Sequence, residues 1–581
     1  MRRGTTSILL LTALAALLLP VGCAKQGYPS GGPRDVTPPK VTATTPENGT
    51  ANFSAKEFRI AFDEYVVIKD AENNILVSPP MKHKPEYGTR GHSVVVKITD
   101  TLRENTTYLF QFKGGIVDFN EGNPLPSFEY VFSTGGTIDS MTLRGVVLDA
   151  LTLQPRKEAV TVTAYAEDSV YDSIVALEQP IYMTRCDAKG RFSFNHIREG
   201  RYRLFAFEDG DKNLRLGANE AMAFLDSVLT AEPMPVPVDT TARAANDSSA
   251  VQPAAAPLPP TKHRLRVSLL AKETQRVDKS AFLHRGRIEI VTKQPLSDRY
   301  SLRPLEESDE TLYTSLNARR DTLSVWTGNE MCDSLVLVLN DTLLSDTLHL
   351  QYRQRAGRPA TPSNSLSVKS LVASKHPYFD TLRLLLPTPL APDGIASWAD
   401  TAVRVLDLAD SSISYCPVRW EEGVPARCRG YIAFAGKPGG KYRFTLAAGC
   451  CRDIYGHPND SLAVVTEYTL PSLYGSISVA LTTADVDPQE GPLLIQLLSE
   501  KGDIVQQQTP AGGKVTFQHL KEGKYTLRAV ADRDGDGQWT PGDYWQHRQP
   551  EEVYYLGKTL ELRENWDMEE KWAVGAPSAG K

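Results

Sequence analysis

Four acidic residues, Asp532, Asp534, Asp536 and Asp543, stand at positions 1, 3, 5 and 12 of a twelve-residue stretch that has Gly537 at position 6. Carboxylate oxygens are hard donors. At alternating positions they can converge on one cation of the calcium type, and a glycine at the sixth place permits the sharp turn. The twelfth carboxylate is Asp where Glu is usual. A constant offset of 532 − 209 = 323 places Asp209, Asp211, Asn213 and Glu220 at the same positions of an earlier stretch, with Leu214 in place of the glycine. The same residue types also suit a polar turn-forming loop, because Asp, Asn and Gly tolerate left-handed backbone. No flanking helices are expected, so neither stretch reads as a true EF-hand. An ion held there would stiffen a loop and take no part in catalysis. Structural calcium is the one cofactor the sequence suggests, and none is required.

Other reactive side chains give weaker patterns. Besides Cys23 there are six cysteines: Cys186, Cys332, Cys416, Cys428, Cys450 and Cys451. Their spacing fits no zinc motif. Cys416 and Cys428 flank a turn at Glu422-Gly423 on runs that read as paired strands, which predicts a cross-strand disulfide. Cys450 and Cys451 are adjacent and either pair elsewhere or stay free. His196 and His519 occupy matching places, and packing or a backbone hydrogen bond accounts for them better than a ligand role. Trp539, Tyr544, Trp545, Tyr554 and Tyr555 could line a sugar-binding surface, with core packing the expected role. There is no G-x-S-x-G, no P-loop, no dinucleotide glycine fingerprint and no H-E-x-x-H. No catalytic residue is therefore assigned, and the chain reads as a non-enzyme.

These residues must be positioned by strands. Phe58, Ile60 and Phe62 alternate with polar neighbours, and similar runs follow at 93–98, 108–112 and 128–132, with Pro, Gly and Asn between them. Long amphipathic helical patterns are scarce, and 23 tyrosines with recurrent Thr and Val suit strands. Short strands at this spacing predict an all-β chain of sandwiches. Residues 192–204 (FSFNHIREGRYRL) match 515–527 (VTFQHLKEGKYTL) without a gap at the same offset of 323, which marks a repeated domain. Net charge is only −6 and no basic stripe occurs, which argues against nucleic acid. A segment from 231 to 262 rich in Pro, Ala, Ser and Thr cannot bury a core and reads as a linker.

The N-terminus reads as an export signal: Arg2 and Arg3, an apolar run from Ile8 to Leu19, then Gly22 and Cys23. Cys23 resembles the lipid-accepting cysteine of bacterial lipoproteins, with Leu19 and Gly22 suiting that pattern and Pro20 standing where Leu is usual. The resemblance implies acylation of Cys23 and a membrane partner through the lipid. Pro46-Glu-Asn-Gly49, Phe62-Asp-Glu-Tyr-Val66, Asn105-Thr-Thr-Tyr108, Asp118-Phe-Asn-Glu-Gly-Asn123 and Phe132-Ser-Thr134 resemble the bacterial Ig-like domain first described in S-layer proteins. The version in lipoproteins of Bacteroidetes-type bacteria is the most similar, including the lead-in Gly31-Gly-Pro-Arg-Asp-Val-Thr-Pro-Pro39. Leu143-Arg-Gly-Val-Val-Leu-Asp149, Asp187-Ala-Lys-Gly-Arg-Phe-Ser-Phe194 and Glu199-Gly-Arg-Tyr-Arg-Leu204 are similar to the transthyretin-like or carboxypeptidase-regulatory-like sandwich.

The resulting layout is a signal peptide 1–22 and a lipidated tether 23–40. A bacterial Ig-like domain at 41–136 and a transthyretin-like sandwich at 140–230 follow. After the linker 231–262 come Ig-like-related sandwiches at 263–360 and 365–470. A second transthyretin-like sandwich at 472–566 and a tail at 567–581 complete the chain. Two functions fit: a spacer or protein-interaction scaffold of the cell envelope, or a glycan-binding lipoprotein for nutrient capture or adhesion. An outer-membrane lipoprotein is expected, and the sequence leaves open whether it faces the periplasm or the surface.

Overall fold

The computed structural model describes residues 35–575 apart from 168–171, 218, 236–262, 270–274, 307–309, 318, 343, 354–365, 392–400, 421–427, 484–485 and 487–490. Cys23, most of the linker, the turn at Glu422-Gly423 and the last six residues therefore lie outside the described residues. The fold is all-β, and the helices among the described residues are single turns such as Ala71–Asn74 and Ile174–Leu177. Two compact units divide the chain. One is built from residues up to Val147, Arg156–Gly217 and Leu225–Leu265. The other takes Leu148–Pro155, Ala218–Phe224 and Arg266 onward.

In the first unit, the strand Glu57–Phe62 is buried at every second residue, because successive side chains of a strand point to opposite faces. It pairs with Val41–Thr45 on one side and Ser93–Lys97 on the other. A second sheet sets Thr107–Phe112 between Ile75–Ser78 and Phe128–Ser133. Phe58, Ile60, Val94, Val96, Phe110 and Tyr130 fill the space between the sheets. Phe58 stacks on Tyr130 at 4.0 Å and meets Phe110 edge-on at 5.0 Å. Fully burying each such ring stabilises by about 1.5–3 kcal/mol. Further along the same unit, Thr161–Ala166 lies between Tyr182–Arg185 and Arg201–Phe207. Met141–Asp149 pairs with Arg191–Ile197 across a bulge.

In the second unit, one sandwich has an inner face of Ile288, Ile290, Leu323, Val325, Leu337 and Leu339. The next closes on Leu382, Leu384, Val403, Val405, Tyr442 and Phe444. The last closes on Ile477, Val479, Ile495, Leu497, Phe517 and Leu527. Neighbouring sandwiches of this unit touch: Trp326 Nε1 donates to Pro387 O at 3.0 Å, and Tyr455 Oη donates to Thr327 O at 2.9 Å.

Two segments differ from the layout expected from sequence. His263–Leu269, expected to open the third sandwich, places its last two residues against the strand ahead of the linker (Ala221↔Leu269, Met222↔Ser268). The expected tail contains the strand Asp567–Ala573, which runs parallel to Gly475–Thr482. Its alternation is hidden because Glu570 takes an inward-leaning place between Met568 and Trp572, where Lys558 Nζ meets it at 2.8 Å.

Candidate functional site: an acidic loop in the last sandwich

The strand Gly523–Ala531 delivers the chain into the loop that begins at Asp532, whose N–H donates to Pro492 O at 2.9 Å. Gly491 lies against this start. A Cβ there would sit 2.6 Å from Asp532 O, and its φ of +87° already favours glycine. One carboxylate oxygen each of Asp532, Asp534 and Asp536 lies within 4.8 Å of the others. Gly535 and Gly537 turn the chain between and after them with φ of 71° and 74°. Asp532 is only 7% exposed. Its Oδ2 accepts the Gly537 N–H at 3.1 Å, while its Oδ1 is shielded from solvent and accepts nothing. Such an orphaned acceptor is costly unless something meets it. Asp534 Oδ1 accepts the Asp536 N–H at 3.3 Å and its Oδ2 accepts the Thr540 hydroxyl at 2.9 Å. Partial burial, with the charges of Asp534 and Asp532 adding to it, pushes the Asp536 carboxyl up.

Asp543 is not brought to these three. Its Oδ1 accepts the N–H groups of Trp545 and Gln546 at 2.9 and 3.2 Å, and its backbone exchanges two hydrogen bonds with Arg548. It caps its own turn. The residue that sequence reasoning missed is Glu551. It is buried at 3% exposure, accepts the Arg533 N–H at 2.7 Å and the Thr540 N–H at 2.9 Å, and so clasps the loop across its base. Burial pushes its carboxyl up against those two bonds. No sequence motif marks it, because its partners lie 11 and 18 residues away.

The loop in the first unit repeats two left-handed positions and spends its carboxylates differently. Lys212 and Leu214 hold φ of 59° and 62° where the later loop has glycines. Asp209 Oδ1 accepts the Asn213 N–H at 3.0 Å and its Oδ2 accepts the Leu214 N–H at 3.2 Å. Asp211 Oδ2 accepts the Asn213 side-chain amide at 2.7 Å, and Asn213 Oδ1 accepts the Arg215 N–H at 2.6 Å. Glu220 is half-buried, just ahead of the strand Ala221–Phe224 that belongs to the second unit.

The predicted Cys416–Cys428 disulfide is absent, and both thiols are free and buried. The chain changes sheets between them. Ile413–Cys416 pairs with Val403–Leu406, whereas Val418–Trp420 pairs with the strand Arg429–Ile432 that follows Cys428. Cys416 then joins the sandwich core, while Cys428 packs with Trp326. Burial pushes their thiols up to about 11 and about 12. Cys451 and Cys450 flank Asn459, whose Oδ1 accepts the Cys451 N–H at 2.8 Å. The Cys451 thiol beside it draws the Cys450 thiol down.

His196 and His519 share a left-handed φ of 56° and sit at the bulges opposite Thr142 and Ser476, inside their strands. Histidine is enriched in that conformation, which the extra residue of a bulge requires. His196 Nδ1 lies 3.2 Å from Asp139 O, and the His519 ring stacks on Phe379 at 3.9 Å. The aromatic residues do not form one platform. Tyr544 is buried against Phe224 at 5.2 Å, Trp539 Nε1 donates to Glu551 O at 3.1 Å, and the Tyr555 hydroxyl donates to Leu151 O at 3.0 Å. Trp545 alone of the five is exposed, at 51%. An open cleft of about 730 Å³ in the sandwich around Leu337 has Glu306 as the only carboxylate among the described residues that line it.

In the first sandwich, Asp118 is buried at the end of the strand Ile116–Asp118. It accepts the N–H groups of Glu121, Gly122 and Asn123 at 2.6, 2.9 and 2.8 Å. Residues 35–134 match the family model of a bacterial Ig-like domain. In this Ig-like domain, burial opposes the Asp118 charge, and the three backbone N–H groups prevail and hold the carboxyl below its usual range. No curated protein matches the chain in sequence.

Among solved structures, the Bacillus anthracis TIE protein aligns at 10% identity over 94% of this chain and 76% of its own, with a TM-score of 0.13. BcpA, the major pilin subunit of Bacillus cereus, aligns at 8% identity over 75% of this chain and 99% of its own, with a TM-score of 0.14. Domains 1–6 of the surface layer protein SbsC align at 10% identity over 90% and 67%, with a TM-score of 0.14. Scores this low carry no weight for function. No catalytic family is indicated.

Proposed function

We propose that the protein is a non-catalytic lipoprotein of the bacterial outer membrane, anchored through an acylated Cys23 and acting as a spacer or protein-interaction scaffold of the cell envelope. The observation that carries this reading is that four of the sandwiches each close on an apolar interior of their own. The export signal and the cysteine after it supply the anchor. Among the described residues no helix is long and apolar enough to cross a membrane. The Ig-like domain and its Gly-Gly-Pro-Arg lead-in support a Bacteroidetes-type lipoprotein. Mild cross-linking in intact cells, followed by purification of the membrane-anchored chain, tests the reading. Reproducible recovery of envelope proteins supports a scaffold, and recovery of the chain alone speaks against it. The glycan-binding reading retains only Trp545 as an exposed ring of the group that suggested it, and a glycan array without any binding removes it.

A further inference from the structure

The loop that begins at Asp532 holds a buried carboxylate oxygen with no hydrogen-bond partner, on a residue that clusters with two further carboxylates. We propose that Asp532, Asp534 and Asp536 bind one divalent cation of the calcium class, and that this ion sets the loop through which the last sandwich grips the strands beside the linker. Three observations converge. One oxygen of each carboxylate lies within 4.8 Å of the others, a spacing that a single ion can bridge. Asp532 is more than nine-tenths buried and its Oδ1 meets neither solvent nor a donor, so the fold has committed a charged acceptor to a place where the chain does not satisfy it. An all-oxygen set favours calcium over zinc or copper.

The grip is made by residues of the same loop. The Gly542 N–H donates to the buried Ser268 hydroxyl at 3.1 Å, Gln549 Nε2 donates to Phe224 O at 3.2 Å, and Tyr544 packs on Phe224. Glu551 acts as a positioning residue: its two amide bonds tie Arg533 and Thr540 together and hold Asp534 beside its neighbours. Asp543, engaged in its own turn, is not a ligand. The proposal is independent of the anchoring and scaffold reading above.

Calorimetric titration of the full-length chain in detergent with calcium chloride, after chelator treatment, tests it. The expected result is saturable binding with a dissociation constant of roughly 10⁻⁴ M, in the range of extracellular calcium modules. Binding should raise the melting temperature and slow protease cleavage within 532–551. Asp534→Asn combined with Asp536→Asn changes two exposed residues and leaves the core intact. That variant should lose the binding heat, the thermal shift and the protection together, while Asp543→Asn keeps all three. Two ions per chain with one lost in the double variant supports the site equally. No binding heat in the wild type, or undiminished binding in the double variant, overturns it. Equal affinity for magnesium contradicts the calcium class.

Discussion

The loops at 209–220 and 532–543 share spacing, offset and left-handed turns, yet only one leaves a carboxylate oxygen waiting. In the earlier loop Asp209 and Asp211 bring an oxygen each within 4.8 Å of one another, but both carboxylates accept amides from Asn213 or Leu214. In the later loop the fifth position is Asp536 in place of an amide, and Asp532 Oδ1 accepts nothing. Asn213 therefore does two jobs at once, donating to its neighbours' carboxylates and removing one charge. A ligand pattern on the chain specifies where oxygens are placed; how many of them the chain itself consumes decides whether an ion is wanted. Asp118 of the Ig-like domain is the limiting case, a buried carboxylate whose two oxygens are fully used by three backbone amides.

The two repeats should share one frame, and the largest expected effect tests that. Phe194 and Phe517 occupy matching places, at 2% and 0% exposure. Phe→Ala at either should cost about 3–5 kcal/mol in the unfolding of its own sandwich, read by denaturant titration. A large cost at one position and a negligible cost at the other would break the equivalence. Acid separates Asp118 from the two loops. Its folded pKa lies below the unfolded value of about 3.9, so its contribution is full above that value and disappears as pH falls through the folded pKa. The Ig-like transition should therefore lose stability below about pH 4, independently of calcium, and Asp118→Asn should flatten that dependence.

Smaller effects sharpen the contrast between the loops. Asp534→Asn relieves repulsion but also removes one acceptor used by Asp536 or Thr540, so in chelator its net effect by denaturant titration should stay within about 1 kcal/mol. Asp211→Asn should lower or leave unchanged the melting temperature of the first unit, because it removes a used acceptor. Leu214→Gly exchanges left-handed strain of about 1–2 kcal/mol against lost packing and a freer unfolded chain, so its net effect should stay within about 1 kcal/mol by the same denaturant titration.

Much of this was legible in the sequence because it is written in local pattern. Alternation at Phe58, Ile60 and Phe62 gave the strand and its buried face, and the gapless match of 192–204 to 515–527 gave the repeat. The four-carboxylate pattern located the loop, but three of its members converge and Asp543 does not. What escaped was non-local. Glu551 clasps amides 11 and 18 residues distant. The change of sheet between Cys416 and Val418, which separates Cys416 from Cys428, is a choice between partners that the intervening turn does not record. The strand Asp567–Ala573 escaped because an inward glutamate, satisfied by Lys558, broke its apolar alternation.

Membrane anchoring depends on Cys23, and mass spectrometry of the N-terminal peptide from fractionated cells tests it directly. The expected result is a mature chain beginning at an acylated Cys23 in the membrane fraction, with Cys23→Ser moving the protein out of that fraction. An unmodified thiol at Cys23 in a freely soluble protein would contradict it.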